Sequence, residues 1–261
     1  MKRPSAKWLW LVPAALFGAA YVDHEQARAT ADWRGASREP VGLAPDPAAL
    51  EDAIVQVYAA RAVRWRGYFG VHTWIAAKRS GADAYTVYEV NGWRLRRTGS
   101  AIAISERPPD SRWFGSPPRL IAQRIGPDVD PLIDRIEQAV QRYPYADEYR
   151  VWPGPNSNTF TAFVLREVPE LRADLPAHAI GKDYLGAELV APAPSGTGAQ
   201  VSLLGVLGVL VGVEEGLEIN LLGLTFGLDP LDLSLKLPLA GRVGWPRAAP
   251  EVAVLEAPPA G

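Results

Sequence analysis

Apolar residues recur at helical spacing in several parts of the chain, and two of these stretches open with the same dipeptide. The first predicted helix begins at Asp46-Pro47 and ends near Arg64, because Asp is a favoured N-cap and Pro a favoured first helical residue. A second helix is predicted to begin at Asp130-Pro131. Its apolar stripe consists of Leu132, Ile133, Ile136, Ala139, Val140 and Tyr143. Two further helices are predicted, over residues 119–125 and from Thr159 to about Pro169.

β-Branched and aromatic residues between positions 68 and 105 predict a series of short strands. The predicted strands are Tyr68–Lys78, Ala84–Val90, Trp93–Arg97 and Ala101–Ser105. Turn signals separate them, at residues 80–83 and at Asn91-Gly92. Strands joined by short turns pair antiparallel. The pattern therefore predicts an α+β fold in which helices flank a central antiparallel sheet.

The last third of the chain is apolar and rich in glycine. Residues 201–213 are too few to cross a bilayer as a helix, and Glu214, Glu215 and Glu218 interrupt the apolar run. Glycines among Val, Ile and Leu predict buried strands joined by a turn near Glu215-Gly216. Two interpretations stay open, an apolar hairpin packed on the core and a hairpin that contacts a membrane surface. Residues 245–261, rich in Pro and Ala, predict a loose C-terminal tail.

The N-terminus carries a targeting pattern. Basic residues at positions 2, 3 and 7 precede the apolar run Trp8–Val22, which fits a secretory signal better than a spanning helix of about 20 residues. Ala27-Arg28-Ala29 offers a cleavage site, and an uncleaved anchor is the alternative. The prediction is an exported chain with a signal peptide or N-terminal membrane anchor over residues 1–29. A linker over residues 30–45 and a single α+β domain over residues 46–244 follow.

Composition and charge remove several classes of function. The net charge is −2, and basic residues do not cluster, so a nucleic-acid partner is not expected. The absence of cysteine excludes disulfides, thiolate metal sites and a cysteine nucleophile. The three histidines, His24, His72 and His178, are far apart in sequence. We therefore predict neither a metal site nor a cofactor.

The segment Trp152–Phe160, WPGPNSNTF, is the strongest local candidate for a site. Pro153 and Pro155 fix the backbone that leads to a predicted helix start, where Asn156, Ser157 or Asn158 can act as the cap. A hydroxyl at a helix start lies beside unpaired N–H groups, which stabilise developing negative charge. Ser157 is therefore a candidate nucleophile, and a simple capping role is the alternative.

A serine nucleophile needs a base, because its alkoxide is scarce at neutral pH. His72 lies in a predicted strand, and Glu89 and Asn91 on the next strand share one face. We predict His72 as the base, with Glu89 or Asn91 orienting its imidazole. A buried histidine bonded to backbone is the alternative. The predicted substrate contacts are Asn156, Asn158, Trp152 and Trp74.

The order of these residues resembles the permuted papain-fold peptidases and the relatives of lecithin retinol acyltransferase. Those families place a histidine on an early strand and a cysteine later, at the head of a helix, in an Asn-Cys-Asn-x-Phe-like context. Asn156–Phe160 resembles that context, with Ser157 where the cysteine would be. The resemblance implies a permuted papain-like fold and a Ser-His hydrolase or acyltransferase acting on an amide or ester.

A wider set of motifs is similar to a bacterial family catalogued as domain of unknown function 3750. The similarity extends over residues 32–244, and its motifs include VHTWIA, YEVNGW, YPYADEYRVWPGPNSNTF and EEGLEINLLGLTFGLDP. It implies a bacterial cell-envelope protein and brings no known activity. Two functions stay open. One is a site that binds or hydrolyses an envelope peptide, lipid or peptidoglycan fragment, and the other is a non-catalytic binding or structural module.

Overall fold

The structure is a computed structural model, and it describes residues 35–244. Within that range two antiparallel sheets and three α-helices form, which confirms the α+β class. The predicted signal or anchor over residues 1–29, residues 30–34 of the predicted linker and the tail over residues 245–261 lie outside the described residues. Residues 35–45 lie along the loop that comes after the fourth strand. In that loop the Asp110 carboxylate accepts a 2.6 Å hydrogen bond from the Leu43 N–H.

The first sheet has five strands in the order β4-β3-β2-β1-β5. The strands are β1 (Ile54–Arg61), β2 (Val71–Lys78), β3 (Thr86–Val90), β4 (Ile102–Glu106) and β5 (Arg119–Ile125). The strands predicted at residues 68–78, 84–90 and 101–105 are therefore confirmed, with ends that differ from the prediction by at most three residues. A 3-10 helix, Arg64–Tyr68, connects β1 to β2.

Three predictions of local structure in this region are wrong. The residues predicted as a helix from Asp46 to Arg64 form a turn and then strand β1, which is buried along its whole length between β2 and β5. A central strand covered on both faces has a continuous apolar run, so its sequence lacks the period of two that identifies a strand. Residues 119–125 form the edge strand β5, because they pair with β1. The predicted strand Trp93–Arg97 lies in a helix.

Three α-helices accompany this sheet, namely α1 (Gly92–Thr98), α2 (Asp130–Arg142) and α3 (Ser157–Glu167). The predicted starts of α2 and α3 are confirmed to within two residues. Helix α3 contacts β2, β3 and α2, and it is buried along most of its length. Apolar side chains from these helices and the sheet form one core, in which Ile75, Ile133 and Phe160 are almost completely buried.

The C-terminal part forms a second sheet of seven strands in sequential order, β6 to β12. The strands are β6 (Val190–Pro192), β7 (Gly198–Leu203), β8 (Leu207–Gly212), β9 (Gly216–Leu221), β10 (Leu224–Asp229), β11 (Ser234–Leu237) and β12 (Gly241–Gly244). The turn predicted near Glu215-Gly216 is present, between β8 and β9. A single hairpin with buried apolar strands is wrong, because the segment forms seven strands and most of their apolar side chains face outward.

The inner face of the second sheet is mostly polar, and its charges are paired. Glu218 binds both Lys182 and Lys236, with 2.7 Å between the Lys236 Nζ and the Glu218 Oε1. Asp174 accepts a 2.7 Å bond from Lys236 and a 2.6 Å bond from Arg242. Polar groups can be buried when their hydrogen bonds and charges are satisfied. This network explains why the polar positions of the alternating strands face inward.

Within residues 35–244, none of the helices combines the length and apolar character needed to cross a membrane.

Candidate functional site

A cavity of about 220 Å³ lies where the start of β2 meets the start of α3. The 3-10 helix Arg64–Tyr68 and the segment from Tyr149 to Trp152 form its other walls. It contains most of the predicted site residues, namely His72, Asn91, Trp152, Asn156, Ser157 and Asn158. A larger cavity of about 580 Å³, lined by several prolines and Tyr85, contains none of them. The smaller cavity is therefore the candidate site.

Strand pairing explains how His72 reaches this cavity. The ladder between β2 and β3 covers only Ile75–Ala77, so the first residues of β2 extend beyond it. His72 and Glu89 face the same side of the sheet, and 2.8 Å separates the His72 Nε2 from the Glu89 Oε2. The imidazole also stacks on the Trp113 ring with 3.6 Å between centroids and an angle of 7° between planes. The ring is thus fixed both at its edge and on its face.

The electrostatics of this pair favour a neutral imidazole beside an ionised carboxylate. Burial lowers the pKa of His72, and the bond to Glu89 only partly opposes that effect. Burial acts to raise the pKa of Glu89, but the hydrogen bond and charge of His72 and the charge of Arg107 lower it overall. A neutral imidazole has one N–H donor and one acceptor. With Nε2–H donating to Glu89, the acceptor is Nδ1, which forms no hydrogen bond with any described residue.

Ser157 is the first residue of α3, and the residue before it caps the helix. The Asn156 side chain accepts hydrogen bonds from the N–H groups of Asn158 and Thr159, and the Thr159 hydroxyl accepts one from the Asn156 N–H. The peptide bonds Trp152-Pro153 and Gly154-Pro155 that lead to this cap are cis. The Ser157 hydroxyl forms no hydrogen bond with a described residue, His72 included.

The start of α3 is tied to both neighbours of His72 in β2. The Asn158 Nδ2 donates a 3.0 Å bond to the Val71 carbonyl, and the Thr73 hydroxyl donates a 3.0 Å bond to the Asn158 Oδ1. Asn158 and Asn156 also both donate to the Ile180 carbonyl. The Asn156 Nδ2 donates a second bond to the Val151 carbonyl, so the N–H groups of both amides are used and the two asparagines present no free amide donor to the cavity.

The other predicted contacts have different positions. Asn91 lines the cavity, but its Oδ1 caps α1 by accepting a 3.1 Å bond from the Arg94 N–H, and Glu89 is the residue that bonds to the His72 Nε2. Trp152 lies at the mouth and donates a 2.9 Å bond to the Leu222 carbonyl. Trp74 is outside the cavity. Its ring is fully buried against Tyr58, and its Nε1 donates to a backbone carbonyl.

Several aromatic residues of the cavity were not predicted as site residues. Trp113 lies in the loop before β5, about forty residues after His72, and no sequence motif connects the two. Trp65, Phe69 and Trp93 expose much of their rings around the mouth. The sequence feature that could have identified these residues was the high density of aromatic residues near short connections between predicted strands. The cavity is therefore apolar around a small polar centre.

Among residues 35–244, no group of three or more His, Asp or Glu side chains is arranged to hold a metal ion.

Comparison with models of known protein families gives a match. A family model described as "Protein of unknown function (DUF3750)" matches residues 52–184, which includes His72, Glu89 and Ser157. None of the curated proteins and none of the solved structures matches the chain significantly.

Proposed function

This chain belongs to the DUF3750 family, and we propose that it is an acyl-transfer enzyme, in the simplest case a hydrolase, that acts on an amide or ester. One observation carries the proposal. A neutral imidazole, fixed by Glu89 and with a free Nδ1, shares a small cavity with the free hydroxyl of Ser157 at a helix start. A nucleophile, a base and a group that orients the base are the parts that such chemistry needs.

The proposed roles follow from the free atoms. The Ser157 Oγ attacks the substrate carbonyl while the His72 Nδ1 takes its proton, and the substrate C–N or C–O bond then breaks. His72 returns the proton to the leaving amine or alcohol, and water hydrolyses the acyl-serine with the same base. Glu89 stabilises the imidazolium that forms. Because no hydrogen bond joins Ser157 to His72 here, substrate binding must bring them to hydrogen-bond distance, as apo sites often require.

The position of Ser157 at the head of α3, after a histidine on an earlier strand, supports a permuted papain-like arrangement. The cavity walls support an apolar group on the substrate, because Phe69, Val151, Trp152 and Ile180 line them. The proposed substrate is therefore a lipid, lipidated peptide or similar envelope amphiphile. Export through residues 1–29, with a signal or membrane anchor, belongs to the same proposal. Fractionation of cells combined with N-terminal sequencing of the mature chain tests it.

A serine-directed fluorophosphonate probe tests the chemistry. Labelling of the full chain is expected, with at least a hundredfold loss of rate in Ser157→Ala and in His72→Ala. Ser80→Ala changes an exposed turn serine and serves as the matched control. The rate is expected to stay high below pH 6.5, because the pKa of His72 is below its ordinary value. Undiminished labelling of Ser157→Ala would contradict the assignment of the nucleophile.

A second function is a non-catalytic module that binds the same amphiphile in this cavity. The observation that favours it is the use of every Asn156 and Asn158 amide hydrogen in internal bonds, which leaves few donors for an oxyanion. A fluorescent fatty-acyl probe separates the two functions. A binder holds the probe equally well in the wild type and Ser157→Ala and shows no fluorophosphonate labelling, whereas an enzyme is labelled.

A further inference from the structure

The outward face of the second sheet consists of aliphatic side chains aligned across its strands. Strand pairing places Val201, Val209, Ile219 and Phe226 side by side on β7, β8, β9 and β10. Parallel rows of Leu and Val lie on both sides of this row. We call the exposed side of strands β7 to β12 the outer face. Its width and length make it a continuous apolar surface and not a set of isolated residues.

The outer face is large for a surface in contact with water. Four strands about 20 Å long and two about 13 Å long, each about 4.8 Å from the next, give a projected area of about 500 Å². The largest apolar patch of a typical monomer is about 300–600 Å². The area of the outer face therefore lies in the upper part of that range before the turns at its ends are counted.

The turns at its ends are apolar as well. Every exposed residue between positions 198 and 244 is aliphatic, Phe, Pro or Gly, and the charged residues of this segment are buried or half-buried. Protein–protein interfaces carry a polar rim around an apolar centre. A surface that stays apolar to its ends lacks such a rim. Such a surface is better suited to contact with the hydrocarbon of a membrane than to contact with a protein partner.

Leucines occupy turn positions that normally favour Gly or Asn. Leu204, Leu222 and Leu233 have φ values of 51°, 55° and 47°, in the left-handed region that is unfavourable for leucine. All three side chains are at least half exposed. In water, Asn would satisfy the backbone at lower cost and hydrate better. The choice of leucine is understandable if the turns contact an apolar phase.

We propose that the outer face docks on a lipid bilayer, with its aliphatic side chains among the acyl chains. The sheet would lie in the plane of the interface, where an apolar face penetrates about 5–10 Å. The apolar run and basic residues of the N-terminus, positions 2–22, supply a second contact with the same membrane. A second copy packed face to face is the competing occupant. It would bury only about 1,000 Å² in total, which is below the usual range of a specific interface.

Docking in this way would bring the cavity to the membrane. Trp152 at the cavity mouth bonds to the carbonyl of Leu222, which lies in the turn between β9 and β10. Tryptophans concentrate at the level of lipid headgroups. The mouth and the outer face are therefore neighbours, and a lipid could pass from one to the other. The docking proposal does not depend on catalysis, because it concerns a different surface.

Site-directed labelling of the full chain tests the proposal. The chain has no cysteine, so Phe226→Cys introduces a single attachment point for an environment-sensitive dye on the outer face. Ile104→Cys is the matched control, because Ile104 is an exposed aliphatic residue of the first sheet. The probe membrane is a phosphatidylcholine vesicle that contains lipids with spin-labelled acyl chains. Quenching reports contact with those chains, whatever brings the protein to the vesicle.

The expected result is a blue shift and at least fivefold stronger quenching of the dye at position 226 than at position 104. Equal quenching at the two positions would overturn the proposal. A chain with twice the monomer mass, in which the dye at position 226 is shielded from water without vesicles, would also overturn the proposal. That result would assign the outer face to a second copy.

A variant with an introduced charge tests the proposal without a comparison between two label positions. Ile219→Asp in the Phe226→Cys background places a short carboxylate at the centre of the outer face. The fraction of protein whose dye contacts the acyl chains is expected to fall at least tenfold. Ile104→Asp is the control and leaves quenching unchanged. Far-ultraviolet circular dichroism confirms that both variants fold. Undiminished quenching in Ile219→Asp would overturn the proposal as well.

Discussion

The two sheets of this protein bury opposite kinds of side chain. In the first sheet, β1 and β2 are buried along their whole length, and apolar residues pack on both faces. In the second sheet, β8 and β9 expose aliphatic residues at alternate positions, and the positions between them are buried, with Glu218 and Asn220 in β9 and Gly208 and Leu210 in β8. Ile75 in β2 is inaccessible to solvent, whereas Ile219 in β9 is 43% exposed. The same residue type therefore serves a core in one sheet and an outer surface in the other.

This difference shows that alternation alone does not identify the inward face of a strand. A polar face can be buried if its charges are paired, and the second sheet satisfies that condition through Glu218, Lys182, Lys236 and Asp174. An apolar face can lie on the outside of the folded chain if a phase other than water covers it. The usual assumption that apolar positions point inward held for the first sheet and failed for the second.

The largest effect is expected from breaking the polar network under the second sheet. Glu218→Gln leaves Lys182 and Lys236 buried beside a neutral amide, and the free energy of unfolding is expected to fall by about 3–5 kcal/mol. Urea denaturation of the full chain measures it. Glu167→Gln, which removes an exposed partner of Arg142, is the control with a cost below about 1 kcal/mol. A similar small loss for both variants would show that the network contributes little.

A matched pair of isoleucines compares the two sheets directly. Ile75→Ala creates a cavity in the core and is expected to cost about 2–5 kcal/mol. Ile219→Ala removes the same atoms from an exposed face and is expected to cost about 0.5 kcal/mol or less in water. Thermal and urea unfolding measure both. Equal costs would mean that Ile219 is covered in solution, for instance by a second copy.

The contact between the two sheets is expected to be sensitive to acid. The His178 carbonyl accepts a bond from the Val71 N–H, and its ring lies next to Gly241 of β12. Burial, with the nearby charges of Arg61 and Arg119, lowers the pKa of His178 to about 3. The unfolded chain, with a histidine pKa near 6.5, therefore binds the proton more readily than the folded chain.

The stability from His178 is thus complete above about pH 6.5 and is lost progressively as the pH falls toward 3. Between pH 7 and pH 4.5 this single group should remove about 2–3 kcal/mol. His178→Gln is neutral at all these pH values and should flatten the dependence by that amount, as measured by urea unfolding at each pH. An unchanged slope would show that His178 titrates normally in the folded chain.

The smallest effect is expected from the leucine turns. Leu222→Asn places a residue that tolerates a positive φ at a position where φ is 55°, and it should stabilise the protein in water by about 0.5–1 kcal/mol. Leu221→Asn, at a neighbouring position within β9, is the control and should not stabilise. Denaturant unfolding without lipid measures both. A loss of stability in Leu222→Asn would mean that the leucine makes contacts that the turn geometry does not show.

Much of the first sheet could be predicted from the sequence. Strands β2 to β4 follow from aromatic and β-branched runs with turn residues between them, and α2 follows from its apolar stripe. Strand β1 could not be predicted in this way. Ile54, Val57 and Tyr58 fit a helical period as well as a strand, and only pairing with both β2 and β5 selects the strand.

The polar centre of the site could also be anticipated. The period of two along β2 and β3 placed His72 and Glu89 on one face, and the structure shows them 2.8 Å apart. Asn156 was identified as one of the possible caps. The Trp113 stack on His72 and the tie from Asn158 to Val71 could not be found, because both join segments that are distant in sequence. The catalytic roles of His72, Glu89 and Ser157 stay predictions.

The sequence by itself determined where helices α2 and α3 begin, which residues are charged, and that the chain has no cysteine chemistry. These properties depend on local conformational preferences and on composition. The tertiary structure decided which face of each strand is buried and which residues meet at the cavity. Burial depends on partners from elsewhere in the chain, as when Lys182 and Lys236 meet Glu218, and local sequence does not specify such partners.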